Sequence, residues 1–225
     1  MSPDIFLTCH HVVNSPNAPH VDGDIYRFVA VTDMKGTGVV HQVANAKVGE
    51  SLHLFPDSDL ALVRIANIAP QSFVALDYSD QLVGKEIGVA GYPLAILAPN
   101  PQGDLLYNGL IFRVARGVMT STYSTRINQD QAVVLPEVPV LEVNFLFVPG
   151  NSGGPVFDAE TGRVMAFVHG YTTVKIREKV EQATMINPLP EDVPKTYIEN
   201  LNALYSLAIR MEKIRKHLEN FGVNL

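Results

Sequence analysis

Through the first 187 positions, short apolar runs rich in Val, Ile, Phe and Tyr alternate with breaks of Gly, Pro, Asn and Asp. The runs are Ile5 to Leu7, Tyr26 to Thr32, Gly38 to Val43, Leu60 to Ile65, Ile87 to Ala90, Gly109 to Val114, Val118 to Tyr123, Val140 to Phe147, Val164 to His169 and Thr184 to Ile186. Such spacing predicts an all-β region, an antiparallel barrel or sandwich. Beyond it the period changes. Tyr197, Leu201, Leu204, Ala208, Met211, Arg215 and Leu218 recur four and three apart, which predicts one long helix over 191–225. Pro194 suits its first turn, Glu191 and Asp192 its positive end, Lys213, Arg215 and Lys216 its negative end, and Gly222 its stop. A second stripe of Ile198, Tyr205, Ile209 and Ile214 exceeds what one docking face needs. The helix is therefore expected either to press deeply onto the β region or to join two copies as a homo-oligomer.

The stretch from Ile65 to Leu82, with Pro70 and Asp77-Tyr78-Ser79-Asp80, reads as a connector. The expected units are 1–75, 76–190 and the helix 191–225.

At 225 residues the chain has room for one large domain or two small ones with apolar cores. Its single cysteine, Cys9, excludes an internal disulfide, and neither Cys-x-x-Cys nor a Cys/His cluster suggests structural zinc. A net charge of -6 offers no broad cationic footprint, so nucleic acid is not an expected partner. There is no run of about 18 apolar residues to enter a membrane. The first twenty residues lack a basic start followed by an apolar stretch. That favours the cytoplasm, although a secreted chain after loss of its signal would look the same.

Chemistry concentrates in Pro149-Gly150-Asn151-Ser152-Gly153-Gly154-Pro155, between two expected strands. A serine in such a turn exposes its hydroxyl, while the Gly150 and Ser152 N–H groups are free to converge on one oxygen. Acyl transfer needs that arrangement, because the tetrahedral intermediate carries a full negative charge. A hydroxyl also needs a base, and the base a carboxylate. Thr8-Cys9-His10-His11-Val12-Val13 follows one apolar run, and Asp57-Ser58-Asp59-Leu60-Ala61-Leu62 opens another.

In the order His, Asp, Ser these three blocks resemble the trypsin-like peptidase family, particularly its bacterial branch with the Deg-type proteases. Gly91-Tyr92-Pro93 is similar to a turn common in the second barrel of that branch. The resemblance spans residues 4 to 187. It implies an all-β fold of two antiparallel six-stranded barrels, to which the long C-terminal helix is added. The family has a further strand or two before the histidine block, so either the chain is shortened there or the first barrel is incomplete at its N-terminus. It implies a serine endopeptidase acting on proteins or peptides without cofactor or metal. Ser152 would be the nucleophile, His11 the general base and Asp59 its orienting carboxylate. His10 and Asp57 are each displaced from the motif. Asn151 stands where digestive relatives place an aspartate that pairs with a newly cut amino terminus, so activation by cleavage is not expected.

The resemblance also assigns Leu146, Phe147 and Val148 to the primary specificity pocket, opposite a strand carrying Val168 and His169. None is acidic. An unpaired Lys or Arg there would be costly, so a small or medium aliphatic residue is expected before the cut. Glutamyl endopeptidases bind an acidic side chain through a histidine on this strand, but His169 falls one residue past that position. A one-residue slip turns a side chain to the opposite face. Three readings stay open for His169: acidic specificity, contact with Asp59, or filler. His20, His41, His53 and His217 have no spaced partner. Two other functions compete with the peptidase. One is a noncatalytic binding module on the same fold, and the other is an esterase, which the strands expected on both sides of Ser152 disfavour.

Overall fold

The computed structural model describes residues 4–13, 23–33, 40–65, 74–80, 82–93, 96–99, 105–108, 112–126, 137–175 and 202–223. The N-terminal half supplies β1 (Ile5–Cys9), α1 (His10–Val13), β2 (Ile25–Asp33), β3 (Val40–Lys47), β4 (Leu52–Phe55), a 3-10 turn at Pro56–Ser58, and β5 (Leu60–Arg64). The remainder supplies β6 (Glu86–Gly91), β7 (Ile96–Pro99), β8 (Leu105–Asn108), β9 (Arg113–Arg126), β10 (Glu137–Val143), β11 (Pro155–Asp158), β12 (Val164–Lys175), β13 (Asn202–Arg210) and α2 (Met211–Asn220).

Six strands close a barrel in the order β10-β13-β12-β11-β6-β9. Its interior holds Ile87, Val89, Met119, Leu141, Val143, Phe147, Val156, Met165, Ala166, Val168 and Ala208. Closure leaves none of its six strands as a free edge. The closed barrel is the expected second one; the N-terminal half, expected as a first, incomplete barrel, does not close among the described residues. Among the described residues it forms a three-stranded sheet, β1-β5-β4, and a separate β2-β3 hairpin.

β5 is apolar at four consecutive positions because both its faces are covered. Ala61 and Val63 pack with Ala46, Val48 and Leu52. Leu60 and Leu62 face a different cluster, which also contains Ile5, Val138, Val140, Phe167, Ile209, Ile214 and Leu218. That second cluster joins the N-terminal sheet, the outside of the barrel and α2 in one core.

The C-terminal expectation requires correction. The segment expected as one helix is a strand followed by a short helix, with residues 191–201 outside those described. Asn202–Arg210 pairs antiparallel with β12, from Ala166↔Arg210 to Lys175↔Asn202, and with β10, from Val140↔Ile209 to Val143↔Ser206. Ala208 points into the barrel, whereas Leu207 and Ile209 point into the shared core. A strand buried on both faces is apolar without alternation, and such a run also satisfies a helical spacing.

The helix proper shows one buried stripe, Met211, Ile214 and Leu218. It ends at Gly222, where the Gly222 N–H donates to the Glu219 carbonyl and the Val223 N–H to the Leu218 carbonyl. Those two bonds satisfy carbonyls left open at a helix end. Ile209, assigned to the second stripe, belongs to β13; Tyr205, also in β13, is partly exposed.

The two strands expected at Gly109–Val114 and Val118–Tyr123 are continuous as β9 over their described part. Gly117 is no break. A side chain there would strike Asn144 and Phe145, so glycine permits the close packing. The expected strand at Thr184–Ile186 lies outside the described residues.

Candidate active site

β1 delivers the histidine block to the mouth of β5, because Cys9 pairs with Leu60 and α1 turns away immediately afterwards. Asp59 sits between the 3-10 turn and β5 with φ 45° and ψ 41°. Among the described residues it is the only non-glycine with positive φ. Asp tolerates this left-handed conformation better than most residues, and such strain tends to collect where a side chain must be aimed.

The conformation turns Asp59 onto the histidine block. The His10 N–H donates to the Asp59 carbonyl at 3.0 Å, and the His11 N–H donates to Asp59 Oδ1 at 3.0 Å. His11 Nδ1 lies 2.8 Å from Asp59 Oδ2. Asp59 is fully buried, while a third of the His11 side chain remains exposed. His10 is buried and Asp57 is exposed, so the displaced neighbours do not replace His11 and Asp59.

His169 is the third partner of Asp59. Its Nδ1 lies 2.5 Å from the same Oδ2, and its ring meets the His11 ring edge to face with centroids 5.6 Å apart. Burial alone pushes the Asp59 carboxyl up. The hydrogen bonds from His11 and His169, and the positive charge those rings can carry, outweigh it and hold the carboxyl well below its usual range.

The serine turn is fastened to the same place. The Gly153 N–H donates to the Val168 carbonyl at 2.8 Å, and the Val168 N–H donates to the Gly154 carbonyl at 2.9 Å. The Cys9 thiol donates to that Val168 carbonyl at 3.0 Å. Burial, followed by the charge of Asp59, pushes the Cys9 thiol well up and keeps it protonated. The Ser152 hydroxyl donates to the His169 carbonyl at 3.4 Å. Gly150 has φ 94° and Gly153 φ 79°. Among the described residues, the Gly150 and Ser152 N–H groups donate no hydrogen bond. Gly91, at the start of the expected Gly-Tyr-Pro turn, backs onto Asn151.

The polar atoms of Cys9, His11 and Asp59 lie within 4.8 Å of one another. The thiol donates outside the group, to the Val168 carbonyl, while the His11 and Asp59 side chains bond each other.

The expected pocket residues are dispersed. Phe147 and Val168 are buried in the barrel core. Leu146 is 49% exposed, and Val148 is partly buried. The His169 ring faces Asp59 rather than a pocket wall, as the one-residue slip along β12 allowed.

Two contributors escaped sequence reasoning. Ser206 Oγ accepts the Phe147 N–H at 2.8 Å, five residues before Ser152, but the segment was read as helix. Cys9 was weighed only for disulfides and zinc. Its place two residues before His11, with no partner cysteine, was the available signal for a buried thiol beside the site.

Comparison with known structures agrees with this architecture. The active form of the Rv3671c protease of M. tuberculosis superposes with a TM-score of 0.55 at 17% identity, covering 100% of this chain and 72% of that one. An inactive-form mutant of the same protein gives 0.54 at 16%, covering 100% and 80%. The HtrA-type protease AlgW with a tripeptide gives 0.55 at 16% and covers 100% of this chain, which spans 54% of AlgW. No curated protein sequence matches the chain. The trypsin-like peptidase domain matches residues 1–166, which include all three motif blocks. On that match, and on a barrel that carries the serine turn against the histidine block, the chain belongs to the trypsin-like serine peptidase family.

Proposed function

We propose that the chain hydrolyses peptide bonds in protein or peptide substrates through an acyl-enzyme on Ser152, with His11 as base and Asp59 as its orienting carboxylate. The observation that carries this reading is the double hold of Asp59 on His11, ring on one oxygen and backbone N–H on the other. With Nδ1 committed to Asp59, Nε2 is the nitrogen left to take the Ser152 proton. The hydroxyl first exchanges its bond to the His169 carbonyl for one to Nε2. Its oxygen then adds to the substrate carbonyl, and the developing oxyanion accepts the free Gly150 and Ser152 N–H groups. Collapse breaks the C–N bond, and His11 returns the proton to the leaving amine. Water, deprotonated by His11, hydrolyses the ester.

An aliphatic residue before the cut is supported by Leu146 and Val148, which keep apolar surface outside the barrel core and offer no carboxylate to a cationic side chain. The units 1–75 and 76–190 are proposed as the two halves between which substrate lies.

Fluorophosphonate labelling at pH 8 tests the reading. Wild type should be labelled, Ser152→Ala not at all, and His11→Ala slower by at least about a thousandfold, since triad members fail as a unit. A folded wild type that takes up no label would instead favour a binding module.

A further inference from the structure

Two imidazoles meet one carboxylate oxygen in this site. Asp59 Oδ2 lies 2.8 Å from His11 Nδ1 and 2.5 Å from His169 Nδ1. The peptide-bond chemistry proposed above uses the first ring and leaves the second without a role. His169 is nonetheless central, because its backbone carbonyl also receives the Ser152 hydroxyl. A hydroxyl or amide in its place would steady Asp59 equally well. An imidazole differs from both in that its second ring nitrogen can take up a proton and make the side chain a cation.

We propose that His169 is a positioning residue for Asp59 and that its protonation is a second switch on the reaction, so that turnover requires two neutral imidazoles rather than one. This rests on the triad reading.

The argument is one of charge. When Ser152 gives up its proton, His11 becomes a cation, and Asp59 must compensate it from a fully buried position. If His169 is neutral, the whole negative charge serves that purpose. If His169 is already protonated, Asp59 is neutralised at 2.5 Å and a second cation must form on a ring 5.6 Å away. Few other groups could offset it. β1 contributes the Cys9 thiol, which burial keeps uncharged, and α1 contributes His11 with His10 one residue earlier. β13 faces β12 here with Ala208 and Leu207, which do not titrate. Asp59 is the one carboxylate bonded to the His169 ring among the described residues. Its depressed carboxyl stays ionised wherever an imidazole titrates.

The test is the pH dependence of the second-order rate of fluorophosphonate labelling, from pH 8 to about 4.5. Wild type should lose rate on the acid side by more than tenfold per pH unit, approaching a hundredfold where both rings protonate together. His169→Asn keeps an amide donor for Asp59 and removes the titration. It should lose about tenfold per unit and label faster than wild type at the acid end relative to its own rate at pH 8. His169→Ala, which removes the donor as well, should be slower than His169→Asn at every pH, with an acid limb of the same steepness. Equal acid limbs in wild type and His169→Asn would overturn the proposal. If the Asn form does not fold, NMR of the histidine rings in Ser152→Ala decides: a His169 signal that does not titrate between pH 8 and 4.5 overturns it, and one that titrates together with His11 supports it. An unlabelled wild type at pH 8 would instead reject the peptidase reading itself.

Discussion

A side chain on Gly153 would place its Cβ 2.5 Å from Thr8 Oγ1 and 2.9 Å from Thr8 Cα. The serine turn and the strand leading to His11 are thus in backbone contact, and only a residue without a side chain lets them meet. Gly153 also holds φ 79°, which costs other residues about 1–2 kcal/mol. Gly153→Ala should therefore lower the fluorophosphonate labelling rate by about a hundredfold, the order expected when reacting groups are displaced by about 1 Å. Removing the Thr8 hydroxyl with Thr8→Ala in the same chain should not restore the rate, because Thr8 Cα and the Cys9 nitrogen also obstruct the new methyl. Recovery in the double variant would place the obstruction in the threonine side chain alone.

Acid stability should carry the mark of Asp158. Its carboxylate lies 2.7 Å from Lys85 Nζ and accepts the Glu160 and Thr161 N–H groups in the turn between β11 and β12. The Lys85 bond, helped by those N–H groups against the effect of burial, holds the carboxyl down to about 2. A carboxyl depressed in the folded state stabilises above its unfolded pKa and loses that contribution as pH falls through the folded value. Wild type should thus exceed Asp158→Asn in Tm at pH 7, with the gap closing between about pH 4 and about pH 2. A gap that stays constant over that window would show that the pair does not stabilise through charge.

Ser206 should matter more than a small buried serine suggests. Its Oγ is the acceptor for the Phe147 N–H, and the residue is 2% exposed. Ser206→Ala leaves that donor unsatisfied, which costs about 1–3 kcal/mol. Urea unfolding should register the loss, and labelling of Ser152 should slow because the segment between β10 and the serine turn is no longer pinned. Ser206→Thr retains the acceptor and should keep most of the labelling rate if the barrel admits one more methyl. A stability of Ser206→Ala equal to wild type would mean that water takes over the bond.

The catalytic candidates were legible because each sits in a short block whose spacing matters locally. Thr8 to Val13, Asp59 to Leu62 and Gly150 to Pro155 are blocks of adjacent residues, and the resemblance to the family's histidine motif is what singles out His11 over His10. What failed was longer range. Leu207, Ala208 and Ile209 are apolar because they lie between two cores, and no local pattern distinguishes that from a deeply packed helix. Phe147 and Val168 were assigned to a pocket wall by resemblance, and the structure buries both in the barrel core. For His169 the two-residue period of a strand leaves a pocket wall, Asp59 and filler all open, and its closeness to Asp59 and His11 depends on β1 and β12 meeting, which no spacing encodes.

β13 enters between β10 and β12 although it follows Ser152 in sequence, beginning at Asn202. Until Asn202 to Arg210 have been synthesised, the barrel that carries Ser152 lacks its closing strand, and two edges stand open. A nascent chain that already contains His11, Asp59 and Ser152 should therefore be silent until β13 has emerged and closed the barrel around the serine turn.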